Sequence, residues 1–435
     1  MICSNIFNLT AGKNIEFNMT KQAITHKTLD KHIYSSDMSE HTKSIDSKEK
    51  KEILDKSFNC SNSLTECFEI QTVIRNKKPC YTLKSFHQVT LARNLTSNIR
   101  LPLKKAKSRN QISRQLLQHL KEGTSYRIYR LDIKSFFESI SINTIRKVLS
   151  HEIISNQTKI LTEKIIDDVH KAKGVGLPRG LEFSPTLAEL ILQDFDSKVS
   201  VQDDIFFYSR YVDDILIISS GFEDRKKFLK LIKSFLPNEL SFNYNKQKII
   251  DVPRRHYNFS EVAIFDYLGY EYKVIDNQIE GENKNNKKNK CKSIFREVKV
   301  SLSQQKIKKI KTRVYRAIHC YIKTGDYKLL EDRLSFLTSN RLMKDKKTSK
   351  VFATGLYYNN VNIDSSSESL KNLDTYLRRL ILTTHISNRV TNSHALNSSQ
   401  KRLLLNYSFE KGFLNNNYKR FSPDRLRSIK DAWRY

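Results

Sequence analysis

Acidic residues are scarce in this 435-residue chain: 46 Asp and Glu stand against 77 Lys and Arg, a formal net charge of +31. A solvated surface intersperses both signs and needs no such excess. The imbalance points to a polyanionic partner, nucleic acid first and anionic membrane second. The six cysteines, Cys3, Cys60, Cys67, Cys80, Cys291 and Cys320, form no Cys-x-x-Cys and no Cys/His group at zinc spacing. That spacing excludes the usual structural zinc sites, and scattered thiols fit a reducing cytoplasm. No apolar run approaches the roughly 18 residues of a membrane span, and residues 1–20 lack the apolar stretch of a secretory signal. Hydrophobic residues reach only 38%, yet 23 Phe and 20 Tyr suffice for a core, so a wholly disordered chain is excluded. The expectation is a soluble cytoplasmic protein bound to nucleic acid and not to membrane. At about 150 residues per domain, two or three domains are expected.

Texture divides the chain. Residues 1–75 are rich in Ser, Asn, Lys and Thr, carry Gly12 as their one glycine, and read as an N-terminal extension that is disordered in part or folded with a partner. Residues 76–275 read as a compact domain. Within it, the basic stretch Lys104–Glu122 repeats Ile112, Leu116, Leu117 and Leu120 at helical spacing, which packs one face and leaves the other cationic. Tyr126–Ile133 alternates as a strand, helical patterns cover about 143–172 and 184–199, and Ile205–Tyr211 with Ile215–Ser219 predicts a hairpin. A helix over 224–235 and short strands near Ile249 and over 267–274 follow. Residues 276–293, dominated by Asn and Lys, read as a solvated linker, and 294–435 as a largely helical, basic region.

Three features carry chemistry. Arg130-Leu131-Asp132-Ile133 ends a strand in an acid, with aromatics Phe136 and Phe137 just beyond. Gly176-Leu177-Pro178-Arg179-Gly180 is a backbone-exposing loop that opens a helix at Ser184-Pro185. Tyr211-Val212-Asp213-Asp214 sets paired acids at a hairpin tip. Each alone is ordinary: Asp-Asp at a turn is common turn chemistry, and a strand-end Asp commonly caps a helix. Together and in this order they suit nucleotidyl transfer, which employs two Mg2+ ions about 4 Å apart. Such ions take only oxygen ligands and few carboxylates each. Asp132 and Asp213 would bridge both ions, Asp214 would complete the cluster, and the carbonyl of Ile133 would serve one ion.

These motifs resemble those of reverse transcriptases, with Tyr-Val-Asp-Asp the most specific of them. Leu177–Pro185 is similar to that family's template- and nucleotide-contacting loop, Asn243–Lys246 to its lysine-bearing turn, and Tyr267–Tyr270 to its primer grip. The likeness spans about residues 104–273. It implies an α+β right-hand polymerase fold: fingers, an antiparallel-sheet palm and a helical thumb, preceded here by the N-terminal extension. It also implies an RNA-directed DNA polymerase that takes deoxynucleotides and two Mg2+ or Mn2+ ions, with metal ligands Asp132, Ile133, Asp213 and Asp214. Phe137 would be the steric gate against a ribose 2′-hydroxyl, the alternative being a core aromatic. Lys246 would assist the pyrophosphate leaving group, with Lys248 a near competitor. Arg179 and Gly180 would lie at the nucleotide, and Arg109 or Arg114 would clamp triphosphate or template, solvated basic residues being the alternative. Arg179 stands where many members have glutamine; the alternative for it is a pair with Glu182 or a phosphate.

No endonuclease, ribonuclease H or protease signature accompanies the motifs. The Val-Thr-Gly of retron thumbs is missing, and Val390-Thr391-Asn392 comes nearest. The spelling of the loop and of Arg130–Phe137 resembles bacterial unknown-group enzymes of antiphage defence, type 3 systems in particular. That class implies an RNA template or noncoding RNA, nascent DNA on a 3′ or protein hydroxyl, and a second reverse transcriptase as partners. The alternatives are a retron-type enzyme bound to its own RNA and a catalytically idle RNA-binding scaffold.

Overall fold

The computed structural model describes residues 22–34, 37, 47–63, 67–75, 78–151, 153–255, 260–281, 291–345, 350–364, 367–383 and 394–433. In chain order these form α1 (His26–Asp30), α2 (Ser47–Asn62), β1 (Ile70–Arg75), β2 (Lys78–Leu83), α3 (Phe86–Ile99), α4 (Arg109–Leu120) and β3 (Tyr126–Asp132). There follow α5 (Phe136–Ser139), α6 (Ile142–His151), α7 (Asn156–Lys171), α8 (Ser184–Ile191), α9 (Gln193–Ser200), β4 (Ile205–Tyr211), β5 (Asp214–Ser219) and α10 (Arg225–Ser234). The remainder comprises β6 (Lys248–Val252), β7 (Glu261–Tyr267), β8 (Tyr270–Gly281), β9 (Cys291–Leu302), α11 (Gln304–Thr324) and α12 (Tyr327–Thr338). Last come β10 (Asn340–Lys344), β11 (Val351–Gly355), α13 (Glu368–Thr383), α14 (Ser398–Leu404), α15 (Phe409–Leu414) and α16 (Pro423–Asp431). The chain divides into two compact units, 1–107 with 127–249 and 108–126 with 250–435.

In the first unit β5 lies antiparallel between β4 and β3, in a four-stranded sheet of order β4-β5-β3-β6. The run Ile215-Leu216-Ile217-Ile218 is buried throughout, so β5 is covered on both faces, as a continuous apolar strand requires. Tyr129, Leu131, Ile215 and Ile217 join one core with Leu91 and Leu95 of α3, Ile165 and Val169 of α7, and Leu187 of α8. Leu29, Cys60 and Phe68, from the stretch read as an extension, belong to that same core. Asn98 donates to the Gln22 carbonyl at 2.9 Å, and Asp168 accepts the Phe68 N–H at 3.0 Å. The expected helix over 143–172 is two helices, with Ser155 capping the second through the Thr158 N–H. The helix expected over 184–199 is likewise divided, at Leu192.

The second unit is built on the antiparallel sheet β7-β8-β9. Tyr267 pairs with Tyr270 across a two-residue turn, where Leu268 (φ 51°) and Gly269 (φ 78°) both take left-handed backbone, as a type I′ hairpin demands. The expected 276–293 linker is corrected at both ends: β8 and β9 pair without break from Tyr270↔Leu302 to Gly281↔Cys291. A cross-strand ion pair explains why polar residues make strand here. Arg296 meets Asp276 at 2.7 and 3.0 Å with both side chains buried, and donates to the Glu122 and Pro253 carbonyls. Residues 282–290 lie outside the described ones, as does Val390–Asn392. Beyond β9, the regular elements among the described residues are helices apart from the antiparallel pair β10–β11. Asp374 of α13 accepts from Ser408 and from the Phe409 and Glu410 N–H groups at 2.6, 2.6 and 3.2 Å, and so fixes the start of α15. Among the described residues no helix is long and apolar enough to cross a membrane.

Candidate active site

Alternation of apolar residues sets the strand register, and the register places the acids. Asp132, last in β3, lies directly opposite Asp214, first in β5. Asp213 occupies the β4–β5 turn, and its carbonyl accepts the Ile133 N–H at 3.1 Å. Three carboxylates and the Ile133 backbone therefore gather at one end of one antiparallel pair. Burial pushes the Asp214 carboxyl up to about 6; Asp132 and Asp213 add to that, while Arg130, 3.5 Å away, opposes it.

The turn that presents Asp213 is strained. Val212 has φ 61°, a left-handed conformation that a β-branched residue rarely adopts. Arg210 holds it there by donating to the Val212 carbonyl at 2.9 Å. That guanidinium is only 4% exposed and is itself clamped by Glu189 of α8 at 2.8 Å and Asp196 of α9 at 2.6 Å. Nothing in the local sequence around Arg210 foretells this, because its counter-ions lie 14 and 21 residues away.

The lysine-bearing turn closes on Asp132. Asn243 donates through its backbone N–H to the Asp132 carbonyl at 2.7 Å and through Nδ2 to Oδ2 at 3.2 Å. Lys246 Nζ reaches Oδ1 at 3.0 Å. Lys246 thus meets the acid, and Asn243 and Arg130 are contacts that motif reading overlooked. The donor set of carboxylates and carbonyl is all oxygen and suits a hard divalent ion. Among the described residues no three His, Cys, Asp or Glu side chains are closed into a ready-made cage. Lys246 and Arg130 instead compensate Asp132 and Asp214. The residues fit Mg2+ or Mn2+ in kind, since such ions commonly complete their shells with substrate phosphate and water.

The glycine loop has a structural task. Gly176 (φ 65°) lies so close to α5 that a Cβ would meet the Phe137 carbonyl oxygen at 2.4 Å, and Leu177 N–H donates to that oxygen at 2.7 Å. Gly180 (φ 100°), expected at the nucleotide, lies against β2, where a Cβ would sit 2.6 Å from the Tyr81 carbonyl oxygen. Leu181 and Phe183, which follow in the same loop, are core residues.

The structure gives Arg179 a carboxylate partner other than Glu182. It pairs with Glu138, through Nε at 2.9 Å and Nη2 at 3.1 Å, and Glu182 lies instead 3.8 Å from Arg93. The Arg179 bonds, helped by Lys78 at 2.9 Å, hold the Glu138 carboxyl down at about 2. The guanidinium also covers the Phe137 ring at 4.8 Å, and that ring meets Phe136 edge-on at 5.5 Å. Phe137 is half-buried, held between an ion pair and the core. Arg179→Gln should therefore loosen the Phe137 ring and raise ribonucleotide use about 10-fold, short of the effect of Phe137→Val. Competition between ribo- and deoxynucleotides measures this, and unchanged selectivity in both variants would make Phe137 packing only.

Arg109 and Arg114 belong to the second unit. Arg114 is exposed on α4. Arg109 donates to Tyr270 Oη at 3.1 Å and to the Asn359 carbonyl, and its guanidinium lies 4.9 Å from the Tyr270 ring. Lys306 approaches the same ring at 5.5 Å and donates to Asn360. Burial, with repulsion from Arg109 and Lys309, brings the Lys306 ammonium down to about 7. In the unfolded chain it titrates near 10.4. The charged form is thus a cost fully present below pH 7, and it vanishes as pH rises through the unfolded value. Lys306→Met should stabilise the free protein by roughly 1–2 kcal/mol at pH 7 and by nothing near pH 10.5. Paired melts across that range test it, and a gain independent of pH would contradict it.

Residues 74–272 match the family model described as reverse transcriptase (RNA-dependent DNA polymerase). This segment, somewhat under half of the chain, is thus similar to the reverse transcriptase domain of RNA-directed DNA polymerases, and the chain's helices and antiparallel sheets are of the α+β class. Among solved structures it is similar to apo telomerase from Candida tropicalis lacking the C-terminal domain, at 12% identity and TM-score 0.32, over 48% of this chain and 54% of that one. It is also similar to telomerase from Candida albicans in complex with a fragment of telomeric RNA, at 10% identity and TM-score 0.30, over 88% and 65%. The corresponding complex from Candida tropicalis gives 12% identity and TM-score 0.34, over 84% and 61%. The chain thus spans between about half and two thirds of the length of these structures.

Proposed function

We propose that this protein is an RNA-directed DNA polymerase of a bacterial antiviral defence system, extending a 3′ or protein hydroxyl with deoxynucleotides. The observation that carries the reading is the register that sets Asp132 opposite Asp214, with Asp213 in the adjoining turn. Asp132, Asp213, Asp214 and the Ile133 carbonyl would hold two Mg2+ or Mn2+ ions, which supply charge neutralisation to the attacking hydroxyl and the triphosphate. Asn243 orients Asp132 by gripping its carbonyl and Oδ2. Lys246 moves from Asp132 towards the departing pyrophosphate, donating charge where charge develops. Phe137, braced by Arg179, limits the sugar to one without a 2′-hydroxyl.

The net charge of +31 supports an RNA partner. The free thiols Cys67, Cys80 and Cys320 support a cytoplasmic setting. The defence role rests on the spelling of Arg130–Phe137 and Leu177–Pro185, and the same class suggests a second reverse transcriptase subunit. Sequencing of the RNA that co-purifies with the protein, and of any DNA attached to RNA or protein, tests the proposal. A discrete noncoding RNA with linked complementary DNA is expected. Random cellular RNA without DNA would leave an RNA-binding scaffold.

A further inference from the structure

Buried guanidinium groups in this chain are ordinarily answered by carboxylates: Arg210 has two, and Arg296 has Asp276 on two nitrogens. Buried Arg333 is answered instead by the Ile429 and Ser428 carbonyls, and two half-buried arginines of the second unit have neither a carboxylate nor such a pair. Arg313 of α11 lies with its guanidinium carbon 5.5 Å from the Trp433 ring centre, and Arg341 of β10 stacks 3.8 Å above Phe336. The two rings are neighbours, their centroids 5.5 Å apart, with Phe421 a further 6.2 Å from Phe336. Both cations therefore border one aromatic floor. Its geometry is fixed, since the Trp433 indole N–H donates to the Arg313 carbonyl at 3.0 Å. Arg341 keeps one long bond of 3.5 Å to the Phe336 carbonyl, which leaves most of its fork unused.

Among the described residues no carboxylate acts on either group. Burial lowers the Arg313 guanidinium below its ordinary value, and burial with repulsion from Arg313 brings Arg341 down to about 10. The undescribed residues nearest them in sequence, 346–349 and 434–435, contain no Asp or Glu. Two like charges withdrawn from water side by side repel, and ring faces offset that only in part. An anion would remove the repulsion. Guanidinium forks match phosphate bidentately, and an adjoining aromatic face accepts a stacked base.

We propose that Arg313 and Arg341, on the floor formed by Phe336 and Trp433, are a phosphate-binding site for a phosphate group borne by a nucleic-acid strand or a free nucleotide. The site is built from residues remote in sequence from the acidic strand ends, and its occupation requires no DNA synthesis. The inference therefore stands or falls apart from the polymerase reading.

Melting of the full-length protein in inorganic phosphate, against chloride at equal ionic strength, tests the site directly. Phosphate at millimolar concentration should raise the wild-type melting temperature beyond chloride. Arg341→Met should abolish that increment while melting in chloride at the wild-type temperature or above, because the repulsion is gone. Arg341→Lys, which keeps charge without the fork, should retain only part of the increment, and it decides the matter if the methionine variant does not fold. Two further arms separate the sources. For a strand phosphate, Arg313→Met and Arg341→Met should each weaken binding of a short RNA about 5-fold and flatten its log-log salt dependence by about 0.7. For a free nucleotide, RNA affinity stays unchanged and stabilisation by deoxynucleoside triphosphate falls instead. Equal increments in phosphate and chloride for the wild type, or an increment that survives in both Arg341 variants, would overturn the proposal.

Discussion

Asp213→Asn should reduce deoxynucleotide incorporation by about three orders of magnitude or more while leaving the fold unchanged. The two consequences have separate origins. Fold is spared because Asp213 serves the backbone through its carbonyl, which accepts the Ile133 N–H and survives the substitution. Activity is lost because a neutral amide cannot replace an anionic oxygen between two divalent ions. Single-nucleotide incorporation and a thermal melt, run on one preparation, read both. Synthesis at the wild-type rate would remove Asp213 from the site, and a collapsed melting transition would show that its role is structural.

Arg210→Leu is the second substitution with a large expected effect, and here stability and activity should fall together. The leucine leaves Glu189 and Asp196 facing each other without their shared cation, a defect of about 3 kcal/mol when one member of a buried ion cluster is deleted. The Val212 carbonyl loses its donor as well, so nothing holds a β-branched residue at φ 61°. Relaxation of that turn displaces Asp213, and a displacement of about 1 Å at a reacting centre can cost 10²-fold in rate. Arg210→Lys should recover much of the stability and little of the activity, since an ammonium cannot span two carboxylates and a carbonyl at once. Loss of stability with full activity at low temperature would show that the turn does not depend on Arg210.

The acids were legible in the sequence because strand period and turn chemistry are local. Alternation through Tyr126–Asp132 and the unbroken apolar run Ile215–Ile218 determine which residues reach the strand ends. What holds those acids was not legible, because it comes from afar. Glu189 reaches Arg210, which holds the turn of Asp213, over 21 residues, and Asn243 reaches Asp132 over 111. No local pattern encodes either separation. The expected linker shows the same limit from the other side: residues 276–281 look solvated by composition, yet a buried Asp276–Arg296 pair makes them strand. Tyr267–Tyr270 sat within a run of strand formers, and only the positive φ of Leu268 and Gly269 reveals it as a turn.

The most direct measurement is template-directed synthesis by the purified full-length protein on a primed RNA of arbitrary sequence, with and without chelator. The account predicts DNA complementary to the template, absent when divalent ions are chelated, restored by Mg2+ or Mn2+, and absent in Asp213→Asn throughout. Synthesis that continues in chelator, or equal product from wild type and Asp213→Asn, would contradict it.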